Sequence, residues 1–336
     1  MVRIAIDCMG GDGGPQTMIK GALQGNIHLK DTHLIFVGPK DQLNSIISNT
    51  EKQNQLTYEV VDAQDVITNE DSPGLAVRRK KDSSLVKAAN LVKTKEADAF
   101  ITTGSTGAYL SAGLLIVGRI KGIRRPALAA VLPNLEGGGK GSLFLDCGAN
   151  MDATANDLVN YATMGDVYVK RMLKKPNPTV ALLNVGTEDK KGNEVIKKAF
   201  LELKDTKLNF IGNIEARDMI NCPADIVVCD GFAGNVALKT FEGAAKSLLK
   251  ELKGILTTGL VNKLCGAVLK PSLLRLKEKL DYNKQGGGFL LGLKGLCIKC
   301  HGSSTPDAIQ VAVEQVYHSI NNDIINKITA ELKSNI

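Results

Sequence analysis

Six short loops carry most of the residues in this chain that could do chemistry. Asp7 leads into Gly10-Gly11-Asp12-Gly13-Gly14, and Gly104-Ser105-Thr106-Gly107 follows an apolar run and precedes Ala108–Val117. Asp146 leads into Gly148-Ala149-Asn150, and Asn184 into Gly186-Thr187-Glu188-Asp189-Lys190-Lys191-Gly192-Asn193. Gly212-Asn213 and Asp230-Gly231-Phe232-Ala233-Gly234-Asn235 close two further apolar runs. Glycine lets backbone N–H groups approach a ligand, and a helix N-terminus offers unpaired donors to an anion. One such loop is ordinary turn chemistry, with Ser, Thr or Asp as N-cap. Six in one chain read as the rim of a site, with Lys190 and Lys191 placed to neutralise a bound anion.

His301-Gly302-Ser303-Ser304, ahead of a helix starting at Pro306, adds an imidazole to the set. The preceding Cys297-Ile298-Lys299-Cys300 completes a Cys-x-x-Cys-His pattern, but covalent haem attachment belongs to exported proteins and this chain shows no export signal. A zinc site would need two more ligands. The cysteines read as small buried hydrophobes, and neither a metal nor another cofactor is expected. Gly137-Gly138-Gly139-Lys140-Gly141-Ser142 imitates a phosphate loop, yet it lacks Ser or Thr after the lysine and precedes a strand. It is a glycine-rich turn. No dinucleotide fingerprint and no Gly-x-Ser-x-Gly elbow is present.

The elements that must position these loops are short apolar runs alternating with helical spacing. Strands are expected at Val2–Asp7, His33–Val37, Thr57–Val61, Asp98–Thr102, Leu128–Leu132, Ser142–Asp146, Thr179–Asn184, Leu208–Ile211 and Asp225–Cys229. Helices are expected at Pro15–Leu29, Ser83–Thr94, Ala155–Lys174 and Asn193–Leu203. Continuous rather than alternating apolar runs mark strands covered on both faces. The chain therefore predicts a three-layer α/β/α sandwich with a largely parallel sheet, as one domain over residues 1–336.

Apolar residues make up 43% of the 336, enough for a self-sufficient core. No apolar stretch approaches the ~20 residues of a membrane span. Residues 246–284 hold eight lysines and Arg275 against Glu251, Glu278 and Asp281, a net +6 of the chain's +7. This basic segment places Leu256 and Leu260 among Lys250, Lys253 and Lys263, with Gly254, Gly259, Gly266 and Pro271 splitting it into short helices. It reads either as helices packed on the core or on a second subunit, or as an interfacial amphipathic element on anionic lipid. With no Trp and 4% aromatics, nucleic acid is not the expected partner. A cytoplasmic location is expected, with reversible peripheral contact at a membrane surface as one of the two readings of this segment.

The loops taken together, with Ala76-Val77-Arg78-Arg79-Lys80-Lys81, Ile116-Val117-Gly118-Arg119-Ile120-Lys121-Gly122-Ile123, Leu183–Glu194 and Phe210–Asp218, resemble the bacterial acyl-acyl-carrier-protein:phosphate acyltransferases of phospholipid synthesis. The likeness runs in order from residue 2 to about residue 318. It implies a fold similar to phosphotransacetylases and isocitrate- or isopropylmalate-type dehydrogenases, a homodimer, and transfer of a fatty acyl group from a carrier thioester to inorganic phosphate. Cys8, Cys147 and Cys300 stand where that family has small or aliphatic residues, and Ser105 where Asn is common.

Under that resemblance Gly104, Ser105, Thr106 and Gly107 would contact phosphate, with Ser303 beside them and Lys190 or Lys191 as counter-charge. Asn213, Asp230 and Asn235 would orient these groups, and His301 would donate to the oxyanion or the leaving thiolate. Arg78, Arg79, Lys80, Arg124 and Arg125 would dock the acidic acyl carrier protein. Two other readings share the phosphate loop: a coenzyme-A-dependent phosphotransacetylase with a short acyl substrate, and a non-catalytic membrane-associated anion-binding protein.

Overall fold

The computed structural model describes residues 1–27, 29–50, 57–135, 141–280 and 286–334. One sheet of eleven strands organises it. The strands are β1 (Val2–Asp7), β2 (Thr32–Gly38), β3 (Thr57–Asp62), β4 (Ala99–Thr102), β5 (Ala127–Leu132), β6 (Ser142–Leu145), β7 (Thr179–Asn184), β8 (Asn209–Glu215), β9 (Ile226–Val228), β10 (Gly288–Leu291) and β11 (Leu296–Lys299). Their order is β3-β2-β1-β4-β11-β10-β5-β6-β9-β7-β8.

The described residues form eleven α-helices, most of them against the two faces of the sheet. In chain order they are α1 (Gly14–Asn26), α2 (Lys40–Ser48), α3 (Pro73–Arg79), α4 (Ser84–Lys93), α5 (Thr106–Ala112), α6 (Ala155–Met172), α7 (Glu194–Lys204), α8 (Gly231–Thr257), α9 (Leu260–Leu280), α10 (Pro306–Asn321) and α11 (Ile324–Ser334). Strand alternation explains the three layers. On β1, Ile4 and Ile6 face the core shared with α1 and α10, while Ala5 faces the one shared with α4. On β9, Ile226 and Val228 pack with α6, while Val227 packs on the side of α8. Both faces are apolar because both are covered.

The sheet is mostly parallel, as expected, with one break at its centre. β3, β2, β1, β4 and β11 run together, and β6, β9, β7 and β8 run together. Between the blocks, β10 is antiparallel to both β11 and β5, and β5 is antiparallel to β6. The two blocks therefore point in opposite directions, and their carboxyl ends lie at opposite edges of the sheet.

The sequence missed β10 and β11, whose four-residue lengths are hidden beside a cysteine motif. The short helices expected around residues 246–284 are instead a hairpin of two long ones, α8 and α9. Gly254, Gly266 and Pro271 lie inside helices, and of the four only Gly259, at φ +77°, falls between them, next to Thr258. A helical glycine costs about 1 kcal/mol, which the antiparallel packing offsets; at Gly266 the absent side chain lets the Leu256 backbone approach. The end of the segment, 281–284, the turn at 137–140 and His28 lie outside the described residues.

Candidate active site

Five of the six glycine segments are loops, in two groups, and the loop after β11 joins the first. The loop expected at Gly212-Asn213 is instead a bulge inside β8, with Gly212 at φ +100°. At the first edge, the loops after β1, β4 and β11 are stitched together. The Asp12 N–H donates to the Gly302 carbonyl at 2.9 Å, and a β-carbon on Gly10 would lie 2.7 Å from the Gly104 α-carbon. Beneath them, the buried Asp7 carboxyl accepts from the Thr102 hydroxyl at 2.7 Å, and that hydroxyl accepts the Gly104 N–H at 2.9 Å. Burial raises the Asp7 pKa, against the pull of the Ser84 and Thr102 hydroxyls, the Met9 N–H and the nearby Lys299 ammonium.

At the second edge, Asp146 holds the loop after β6. One carboxylate oxygen accepts the N–H groups of Leu128, Gly148 and Ala149 at 2.9–3.0 Å, and the other accepts Asn150 N–H at 2.7 Å and its amide at 2.9 Å. The Gly231 N–H donates to the Asn150 carbonyl at 2.7 Å, which joins this loop to the start of α8. Asp230 is the N-cap of α8, accepting the Ala233 N–H at 2.7 Å. Asn213 donates to the Glu188 carbonyl at 3.0 Å and Asn184 to the Lys191 carbonyl at 3.1 Å, so the loop bearing Lys190 is pinned twice.

Helix α8 starts at the second edge and carries a hollow on each side. Asn235, Leu238, Lys239 and Glu242 share one face, as spacings of three and four require. They roof a cleft of about 290 Å³ whose other walls include Thr106, Gly148, Lys299 and His301, over a floor of Leu128, Ala130 and Val131. The two groups of loops meet here, across the antiparallel centre of the sheet. Asp230, Ala233, Ala237, Thr240 and Ala244 form the opposite face, beside a more apolar hollow of about 600 Å³ walled by Leu183, Asn184, Asn193, Arg217 and Met219.

Thr106, Asn235 and His301 thus share the smaller cleft, with Gly104, Ser105 and Gly107 in the adjoining turn and Ser303 bonded to His301. Asp230 borders the other hollow. Lys190 and Lys191 line neither; both are exposed, and Lys191 faces Glu188 at 3.8 Å. The cations that do line the cleft, Lys239 and Lys299, were not picked out from sequence. Signals for both existed: Lys239 is one turn beyond Asn235, and Lys299 is the lone charge in the apolar run Leu296–Cys300.

Two lysines line the cleft against one carboxylate, Glu242, which accepts from Lys239 at 2.8 Å. Lys299 donates to the Cys300 carbonyl at 2.6 Å, and burial lowers its pKa while Asp7 and Asp12 pull the other way. The Ser303 N–H donates to His301 Nδ1 at 3.2 Å, and the Ser303 hydroxyl lies 2.8 Å from the same atom. An Nδ1 that accepts leaves the proton on Nε2. Burial, then Lys239 and Lys299, hold the His301 pKa below its ordinary value, so the ring is a neutral Nε2–H donor near pH 7.

Of the docking candidates, Arg78 and Arg79 are exposed on the last turn of α3. Lys80 is held by Asp71 at 2.9 Å and Asp65 at 3.7 Å, Arg124 by the buried Asp157, and Arg125 by Asp152 at 3.0 Å. At the hairpin tip, Lys250, Lys253, Leu260 and Lys263 are exposed, whereas Leu256 packs inward against Gly266. No helix among the described residues is long and apolar enough to cross a membrane.

Known proteins share this architecture and sequence. The phosphotransacetylase of Streptococcus pyogenes superposes with a TM-score of 0.61 at 17% identity, covering 95% of this chain and 94% of its own. A branched-chain phosphotransacylase from Enterococcus faecalis V583 gives 0.53 at 17% identity, covering 95% and 100%. At that identity the likeness is one of fold. The family model described as fatty acid synthesis protein matches residues 2–327. The phosphate acyltransferase of Geobacillus thermodenitrificans (strain NG80-2) is 49% identical over 332 residues, 99% of each chain, and that of Bacillus subtilis (strain 168) is 48% identical over 333 residues, 99% and 98%. With identity near one half over its whole length, this chain belongs to the phosphate acyltransferase family.

Proposed function

We propose that this chain transfers a fatty acyl group from the thioester of acyl carrier protein to inorganic phosphate, releasing an acyl phosphate for phospholipid synthesis and the free carrier thiol. The observation that carries the reading is the cleft beside α8, where two lysines, a neutral imidazole and a threonine hydroxyl converge over an apolar floor. Phosphate near neutral pH is already a competent nucleophile, so no side chain need be deprotonated to generate one. The site's work is to hold the anion about 3 Å from the thioester carbonyl and to stabilise the tetrahedral oxyanion.

Lys299 and Lys239 supply the positive charge for phosphate, with Thr106 and the turn from Gly104 to Gly107 as further donors and Asn235 on the facing wall. His301 donates its Nε2–H to the developing oxyanion, and Ser303 fixes the ring that does so. When the intermediate collapses, the C–S bond breaks and the thiolate leaves; a thiolate is a good leaving group, so the need for acid is small. Asp230 and Asn213 are positioning residues, the first capping α8 and the second pinning the loop of Lys190 and Lys191.

Three finer features belong to the same reading. Arg78 and Arg79, exposed and without a recorded ion pair among the described residues, suit an acidic carrier protein. Exposed apolar side chains at Val185, just after β7, and at Phe232 and Val236 on α8 support a homodimer. The α8–α9 hairpin suits a peripheral contact with anionic lipid. Incubation with a long-chain acyl carrier protein and phosphate, followed by mass detection of acyl phosphate, tests the activity. A product from acetyl coenzyme A alone would replace it with a short-chain phosphotransacetylase.

A further inference from the structure

Glu242 is an acceptor in a cleft otherwise built from donors. It lies two turns beyond Asn235 on the cleft face of α8 and is 7% exposed. One carboxylate oxygen accepts from Lys239 at 2.8 Å. The other, Oε1, is buried and has no hydrogen-bond partner among the described residues. A buried carboxylate oxygen left unpaired is costly, and it sits beside Lys239, Lys299 and His301, where an anion would otherwise be welcome.

A ligand that satisfies all of these groups must carry negative charge and also a hydrogen-bond donor. Inorganic phosphate does both near neutral pH, because it keeps at least one P–OH. Sulfate has the same shape but is fully ionised, with no proton to give. Arsenate, protonated like phosphate, would pass the same test.

We propose that Glu242 is a specificity residue that recognises the proton of the acceptor: Oε1 accepts a hydrogen bond from the P–OH of phosphate, while the ionised oxygens face Lys239, Lys299 and Thr106. The proton stays on phosphate, and an ionised oxygen attacks the acyl carbon. Sulfate in the same place would set an unprotonated oxygen against a carboxylate, a repulsion built into the site. The inference rests on the reading that this cleft holds the phosphate acceptor.

The test compares wild type with Glu242→Gln in phosphate-dependent release of carrier thiol, with sulfate as competitor. Sites that hydrogen-bond a ligand hydroxyl reject analogues lacking it strongly, so the wild-type inhibition constant for sulfate should exceed the KM for phosphate by about 100-fold or more. Glutamine offers an N–H in place of the acceptor. The variant should therefore bind phosphate more weakly and sulfate more tightly, narrowing the ratio by about tenfold or more. An unchanged ratio in the variant, or wild-type sulfate inhibition as tight as phosphate binding, overturns the proposal while leaving the acyltransferase intact. If wild type forms no acyl phosphate at all, it is the underlying reading that fails. If the variant does not fold, wild-type inhibition by sulfate, with arsenate as the positive control, decides alone.

Discussion

Gly234 meets Asp146 so closely that a β-carbon on the glycine would lie 2.0 Å from the Asp146 carbonyl oxygen. That contact seats the first turn of α8 on the end of β6, and every residue α8 contributes to the cleft depends on it. Gly234→Ala must push backbone against backbone, so the expected loss is at the upper end of overpacking, about 3 kcal/mol or more. Gly243, two and a half turns along the same helix, has open space where its β-carbon would go. Gly243→Ala should raise stability by about 0.5–1 kcal/mol. Urea denaturation of both variants checks the pair; equal effects would mean that α8 is not anchored at Asp146.

His301 should matter more for the rate than for binding. Removing an oxyanion donor costs about 100- to 1,000-fold in kcat, so His301→Ala should fall in that range with little change in phosphate KM. His301→Gln retains an N–H and should recover part of the loss. Steady-state kinetics of the two variants separate a donor from a mere space-filler.

The same histidine gives a pH dependence of known sign. Its pKa is lower in the folded chain than its ordinary value, so the unfolded chain takes up the proton first on acidification. Stability therefore falls as pH drops through the ordinary histidine range near about 6.5. His301→Gln lacks this contribution, so wild type should lose more stability than the variant between neutral pH and about pH 5. Denaturation curves at the two pH values, in both proteins, measure the difference.

How much of this was legible beforehand follows from where the information lies. All nine expected strands are present, because continuous runs such as Thr179–Asn184 report burial on both faces directly. The loop residues Thr106, Asn235 and His301 announced themselves as exceptions to apolar runs. The direction of β5, β6 and β10 did not, since strand direction is set by connections and leaves no local periodicity. Without it the path of α8 between the cleft and the Asn184–Asn193 loop could not be read, which is why Lys190 looked like a neighbour of Ser105. Lys239 and Glu242 were hidden for another reason: in a helix rich in lysine, only the packing of α8 tells a solvated charge from one over a cleft.

At the α8–α9 tip, charge and apolar surface can be tested apart. Leu260 is 82% and Val261 72% exposed beside Lys253 and Lys263. Each lysine near an anionic surface contributes about 1 kcal/mol, screened by salt. Replacing Lys250, Lys253 and Lys263 by Glu should move the protein from anionic vesicles to the supernatant at low salt. Leu260→Asp with Val261→Asp should weaken the binding that persists at high salt. Co-sedimentation unchanged in both would assign the hairpin to packing against protein.

The location of the acceptor phosphate can be decided by two lysines on opposite sides of α8. Lys299 is half-buried, lines the cleft and balances the buried Asp7, whereas Lys190 stands exposed on the loop beyond the helix. Lys299→Met keeps the volume and removes the charge. The loss of a charge-assisted contact is worth about 1.5–3 kcal/mol, so phosphate KM should rise by roughly tenfold to a hundredfold. The thioester is not held by that ammonium, and the KM for the acyl carrier should stay near its wild-type value. Lys190→Ala, measured alongside, provides the contrast. A larger rise in phosphate KM for Lys190→Ala than for Lys299→Met would move the acceptor out of the cleft and onto the loop between Asn184 and Asn193.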